Sequence, residues 1–286
     1  MGAELPALAN WKGRATLVWP SGHLDVESAS GGRFGSDTQA LMGEWADLLA
    51  WMEGSEPASA GAIEPSELGP PLPRPRQVFA VGLNYAEHAE EAGHLREGVP
   101  QVFTKFPSCL AGPNARVSVA SPRLDWEVEL VVAVGAEASA VEAENAWSVV
   151  AGLMVGQDLS ARDVQLAGAA PQWSLGKSFA GFGPTGPALV PLANLDRPDD
   201  LAIECLLNGE RVQHARTSQM VWPVPELVAR LSAVCTLYPG DLIFTGTPAG
   251  VGNRRQPPRY LAEGDLLVSR IEGLGELSNT FCAVAG

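Results

Sequence analysis

Cysteine, histidine and tyrosine are scarce, with four Cys, four His and three Tyr in 286 residues. The cysteines, Cys109, Cys205, Cys235 and Cys282, stand far apart and never form C-x-x-C. That spacing excludes a zinc knuckle and a redox dithiol and leaves buried thiols as their expected state. Basic residues are few as well: 19 Lys and Arg face 33 Asp and Glu, a net charge of −14. Such a surface repels phosphate backbones and anionic lipid, so neither nucleic acid nor membrane is an expected partner. A small anionic substrate would need a local positive centre. No apolar run approaches the ~18 residues of a membrane span, and no charged-then-apolar leader opens the sequence, so a cytoplasmic location is expected. Phosphate cradles are missing too. Gly181, Gly183 and Gly186 are interleaved with Pro184 and Pro187, which withhold the amide donors such a loop needs.

What is present is a chain 46% hydrophobic, enough for a sizeable core. Residues 1–72 read as a small N-terminal domain with a linker. A β-prone piece, Ala15 to Trp19, leads to an amphipathic helix whose start carries Ser36 and Gln39 as a capping box, with Leu41, Trp45, Leu48, Leu49 and Met52 on one face. Prolines at 57, 65, 70, 71, 73 and 75 then rule out a helix or a central strand. Residues 73–286 change character, to short β-branched runs punctuated by Gly and Pro. Strands are expected at Val78–Leu83, Val102–Phe106, Trp126–Val134, Leu153–Gln157, Ala188–Pro191, Ala202–Leu207, Leu242–Thr245, Leu266–Ile271 and Leu277–Val284, with a hairpin at Asn208-Gly209. Short helices are expected near Tyr85–Ala92, Val141–Val150, Ser160–Leu166 and Pro225–Val234. Many strands and few helices predict an α+β, β-rich fold.

The most informative stretch is DWEVEL, Asp125 to Leu130. Side chains alternate on a strand, so Glu127 and Glu129 point one way and Trp126, Val128 and Leu130 the other. Two carboxylates ahead of an apolar run must be solvated or neutralised, and a hard cation such as Mg²⁺, Mn²⁺ or Ca²⁺ would neutralise them. Spacing alone leaves a half-exposed strand with its glutamates in water as an open reading. Asp158, after the next apolar strand, adds a third acid, with Arg162 and Gln165 following at helical spacing; an N-cap aspartate with a local Arg partner fits equally. His88 and Glu91 are three apart, so on a helix the carboxylate can orient the imidazole.

Seven segments, VFAVGLNYAEHAEE (78–91), VFTKF (102–106), DWEVEL, GQDLSARDVQ (156–165), WSLGKSFAGFGPTGP (173–187), LNGERVQ (207–213) and YPGDLIFTGTPAGVG (238–252), together resemble the fumarylacetoacetate hydrolase superfamily in order and spacing. The likeness is greatest to its shorter branch of acylpyruvate hydrolases, oxaloacetate decarboxylases and dienedioate isomerases. It implies a mixed β-roll with a small N-terminal domain, a homodimer, and a metal held by Glu127, Glu129 and Asp158. It further implies His88 and Glu91 as the base dyad, Lys177 as an oxyanion-stabilising cation, and Arg162, Gln165 and Thr247 as contacts to a small anionic 2-oxo acid. Lys105 and Tyr85 fall in matching motifs without an assigned contact. The segment Glu87–Val99 suits a lid. The expected reaction is hydrolysis of a C–C bond in a 2,4-dioxo acid, with decarboxylation or isomerisation as alternatives and a non-catalytic 2-oxo acid binder as a further one. In the basic stretch GNRRQPP (252–258) the arginines read as solvated or as selecting a dicarboxylate.

Overall fold

The apolar run after Glu127 forms the strand Val128–Val134, and all seven of its residues are buried. Its two faces belong to two different cores: Val128, Leu130, Val132 and Val134 pack in one, Val131 and Ala133 in the other. A slip of one residue would drive Glu127 and Glu129 into the first of these, so the register is strongly fixed. The computed structural model describes residues 5–61, 63–91 and 98–284.

The strand sits inside a mixed twelve-stranded sheet among the described residues. On one side it pairs antiparallel with Val150–Gln157, which continues to Gly183–Pro191; on the other it pairs with Leu242–Phe244, itself parallel to Val78–Gly82 and followed by Gln101–Thr104. A five-stranded sheet, in the order Glu210–Arg216, Ala202–Leu207, Leu266–Ile271, Gly275–Cys282 and Arg116–Ser118, packs Ile203, Leu267, Leu277 and Phe281 against the even-numbered face. Its first hairpin turns at Asn208 and Gly209, with φ of 52° and 86°, the positive angles that the Asn-Gly pair tolerates.

The N-terminal strands Ala7–Trp11, Arg14–Trp19 and Gly22–Asp25 extend the large sheet, joining it where Leu8 pairs with Leu189. The helix expected after them is broken. Thr38–Leu41 and Trp45–Met52 are joined by a 3₁₀ turn, Met42–Glu44, and Leu41, Met42, Trp45, Leu48 and Met52 cover the odd-numbered face. The N-cap is Asp37, whose side chain accepts from Gln39 N, and not Ser36. Gln39 reaches away instead, accepting from Arg74 N and donating to Gly240 O. The proline-rich stretch is pinned by two-residue strands, Ser59–Ala60 and Leu68–Gly69, along the N-terminal strands. Among the described residues no helix is long and apolar enough to cross a membrane.

Candidate active site

Strand register brings the three acids together. Val128 lies opposite Gln157, so Asp158 emerges beside Glu127 and donates its N–H to the Glu127 carbonyl at 2.9 Å. Carboxylate oxygens of Glu127, Glu129 and Asp158 all lie within 4.8 Å of one another, and all three residues are buried. Asp158 does not cap a helix: the short strand Ser160–Ala161 intervenes before the helix Arg162–Gln165.

Two buried lysines face the triad. Lys177, on a 3₁₀ turn, places Nζ 2.7 Å from Glu127 Oε2 and 2.6 Å from Asp158 Oδ2. Lys105 places Nζ 2.6 Å from Asp158 Oδ1 and also donates to the carbonyls of Phe182 and Lys177. All three donors of Lys105 are thus committed, whereas Lys177 has one in reserve. Arg162 donates from Nε to Asp125 Oδ2 at 2.8 Å and from Nη1 to Gln165 at 2.8 Å, with Nη1 2.7 Å from Glu127 Oε1.

Burial pushes Glu127 upward, but the charges of Lys177, Arg162 and His88 more than offset it and bring its pKa down to about 2. Glu129 differs. Burial, together with the neighbouring Asp158 and Glu127, holds it well above the usual carboxylate range, and it accepts a hydrogen bond from Gly246 N at 2.8 Å. With Arg162 matched by Asp125, three carboxylates face two lysines, leaving one negative charge in excess. The buried hydroxyl of Tyr85, which feels the charge of Glu129, has no hydrogen-bond partner among the described residues. An all-oxygen donor set, an uncompensated acid and an orphaned hydroxyl suit a hydrated hard divalent cation.

His88, Glu127, Arg162, Gln165, Lys177 and Thr247 line one cleft of about 590 Å³, including its open mouth, with Trp173, Asn253 and Arg254 also in its wall. Glu129 and Asp158 lie beneath it, 1% and 0% exposed. His88 is buried on the helix Ala86–Glu91; the side chain of Glu91 and residues 92–97 of the expected lid lie outside the described residues. The Thr247 hydroxyl donates to Val128 O at 2.9 Å and accepts from Gln213 Nε2 at 2.8 Å, so it serves the scaffold as well as the wall. Sequence reasoning left three groups without a role. Lys105 is a core cation. Asp125 accepts from Trp126 N, Gly252 N and Asn253 N besides Arg162. Gln213 accepts from Val128 N. Asp125 stands within DWEVEL two residues before Glu127, and by strand alternation could have been noticed there as a further acid on the glutamates' side.

Comparison with known proteins agrees with this geometry. Residues 77–282 match the family model described as the fumarylacetoacetate (FAA) hydrolase C-terminal domain. The chain is 44% identical over 211 residues to human "Oxaloacetate tautomerase FAHD2A, mitochondrial", covering 73% of this chain and 67% of that protein. A candidate HpcE protein from Mycobacterium smegmatis superposes with a TM-score of 0.93 at 49% identity, covering 97% of this chain and 99% of that one. Fumarylpyruvate hydrolase from Pseudomonas aeruginosa, in complex with Mn²⁺ and pyruvate, gives a TM-score of 0.68 at 31% identity over 78% of this chain and 99% of that one. With the family model spanning most of its length and a buried acid triad at its centre, the chain belongs to the fumarylacetoacetate hydrolase family and is an enzyme of that superfamily.

Proposed function

We infer that the protein moves a proton at the carbon beside the carbonyl of a small 2-oxo acid, interconverting keto and enol forms of an oxaloacetate-class compound. One observation carries this reading: a buried imidazole, His88, shares a cleft wall with Lys177 and Arg162 above the acid triad. The 44% identity to an oxaloacetate tautomerase supports the same reaction class.

Glu127, Glu129 and Asp158 would hold a divalent cation, Mg²⁺ or Mn²⁺, which when bound supplies Lewis acidity toward the oxygens of a 2-oxo acid. His88 takes a proton from the substrate carbon and delivers it to the enolate oxygen, or the reverse, acting as general base and then acid. Lys177, with one N–H uncommitted, steadies charge on the substrate oxygen. Arg162, held by Asp125 in the wall of the cleft, adds a fixed positive charge that attracts a substrate carboxylate. Low exposure of the lysines and acids strengthens each of these interactions.

Hydrolysis of a 2,4-dioxo acid is the second reading. The uncommitted donor of Lys177 favours it, because a tetrahedral oxyanion needs such a partner, and a structural relative is a fumarylpyruvate hydrolase. The two are separated by incubating the Mg²⁺-loaded protein with oxaloacetate, acetylpyruvate, fumarylpyruvate and a hydroxymuconate-type dienoate while following enol absorbance and products. Rapid loss of enol oxaloacetate without carbon dioxide or acid release supports tautomerisation. Cleavage of an acylpyruvate with no effect on oxaloacetate enol would overturn it in favour of hydrolysis.

A further inference from the structure

Resting on that reading of the cleft, we propose that Arg254 selects substrates carrying a second carboxylate at the end remote from the acid triad. The loop after Val251 brings three arginines close to the site; Arg254 lines the cleft, whereas Arg255 and Arg259 line a separate groove. Arg255 Nη1 bonds Glu210 Oε1 at 3.0 Å, with its guanidinium 6.0 Å from the Trp126 ring. Arg259 Nη2 bonds both carboxylate oxygens of Asp265 at 2.8 Å. Arg254, exposed at the mouth, lines the cleft with Arg162, Lys177 and His88.

The loop that carries it is a built structure. Gly252 N and Asn253 N donate to Asp125 at 2.7 and 2.9 Å, and Arg259 N donates to Gly252 O at 3.0 Å. Asn253 Oδ1 accepts from Arg123 Nη2 at 2.9 Å and from Tyr260 Oη at 2.8 Å. A side chain at position 252 would run into the Arg259 carbonyl, the Asp125 carboxylate and the Trp126 ring, so only glycine fits this close approach. Asp125 also holds Arg162. One buried carboxylate therefore fixes the inner arginine and the loop bearing the outer one relative to each other.

In a chain of net charge −14, two arginines set along one cleft make a local positive field with a direction. A 2-oxo acid that commits its carboxylate and carbonyl oxygens at the inner end directs its remaining carbons toward the mouth. There a guanidinium matches a second carboxylate through paired N–H donors, a geometry that lysine or an amide does not reproduce.

The test compares oxaloacetate with 2-oxobutanoate, which has the same carbon count and lacks the second carboxylate. Binding of each to the Mg²⁺-loaded protein is measured by calorimetric titration, and exchange of each ligand's C3 protons with D₂O by NMR. Wild-type protein should bind the dicarboxylate more tightly. Arg254→Gln should reduce that preference by about 10- to 100-fold, the range for one charge-assisted pair, and Arg255→Gln should leave it unchanged. Absence of a preference in the wild type, its survival in Arg254→Gln, or equal loss for both ligands would overturn the assignment. If the binding preference follows Arg254 while neither ligand exchanges faster than in buffer, the proton-transfer reading fails and the selecting role of Arg254 stands.

Discussion

Lys105 Nζ lies 2.6 Å from Oδ1 of Asp158, and both side chains are fully buried. Neither group can be solvated, so each depends on the charge of the other. Removing one member of a buried pair typically costs about 3–5 kcal/mol, since the survivor is left desolvated and unmatched. Lys177 offers Asp158 a second cation, so the lower end applies. Lys105→Met should lower the unfolding free energy in urea by about 3 kcal/mol when a chelator is present. A loss below about 1 kcal/mol would mean that Lys177 alone suffices to neutralise Asp158.

Glu127 is the acid that touches both the cleft and the cations, accepting from Lys177 and lying 2.7 Å from Arg162 Nη1. Glu127→Ala should leave a folded protein with little bound divalent metal after desalting and at least about 100-fold lower turnover, since loss of even an outer-shell partner of a metal ligand costs about 10- to 100-fold. Elemental analysis and enol-oxaloacetate kinetics on the same sample decide it. Normal metal content with normal turnover would remove Glu127 from the centre.

Much of this centre was legible because strand alternation is strict: Glu127 and Glu129 had to share a face once Val128 and Leu130 were assigned to the core. The bounds of Ala202–Leu207 and Leu266–Ile271 were equally plain from their β-rich composition. The strands Ala7–Trp11 and Gly22–Asp25 were missed because ALANW and GHLD hold few β-branched residues, and what stabilises the first is a partner far along the chain, at Leu189. The expected helix at Val141–Val150 is a 3₁₀ turn, Ala143–Val149, where the Ser148 hydroxyl donates to the Asn145 carbonyl and so competes locally for a backbone group. Lysine burial left no mark in sequence either. Only the approach of the 3₁₀ turn Leu175–Lys177 to the strand pair shows that Lys177 is an interior cation.

Two buried glutamines hold the ligand strand from its backbone. Gln157 Oε1 accepts from Glu127 N at 2.9 Å, and Gln213 Oε1 accepts from Val128 N at 3.0 Å. Gln213 also donates to Thr247 Oγ1 and Pro248 O, both at 2.8 Å, so it ties the cleft wall to the ligand strand. Gln213→Leu strands a buried N–H and a buried carbonyl, each worth about 1–3 kcal/mol. The variant should lose about 3 kcal/mol of stability by chemical denaturation and should raise KM more than it lowers kcat. An unchanged KM with reduced stability would confine Gln213 to the scaffold.

Away from the centre, Asp265 sets an acid limit on the fold. Burial pushes its carboxyl up, but donors from Asn208, the Ala262 backbone and Arg259 overcome that and hold it below the usual range. Asn208 in turn accepts from Leu266 N, so this carboxylate locks the hairpin turn to the neighbouring strand. The sign follows from the depressed pKa: the native state prefers the ionised form. Its contribution is complete above the unfolded value of about 3.9 and is lost as pH falls through the lower native value. Asp265→Asn should therefore cost about 2 kcal/mol at pH 7, in keeping with hydrogen bonds to a charged group. In urea titrations at successively lower pH, the gap between wild type and variant should stay constant down to about pH 4 and close below it. A gap that persists unchanged at the lowest pH where both proteins fold would show that shape, and not charge, is what Asp265 provides.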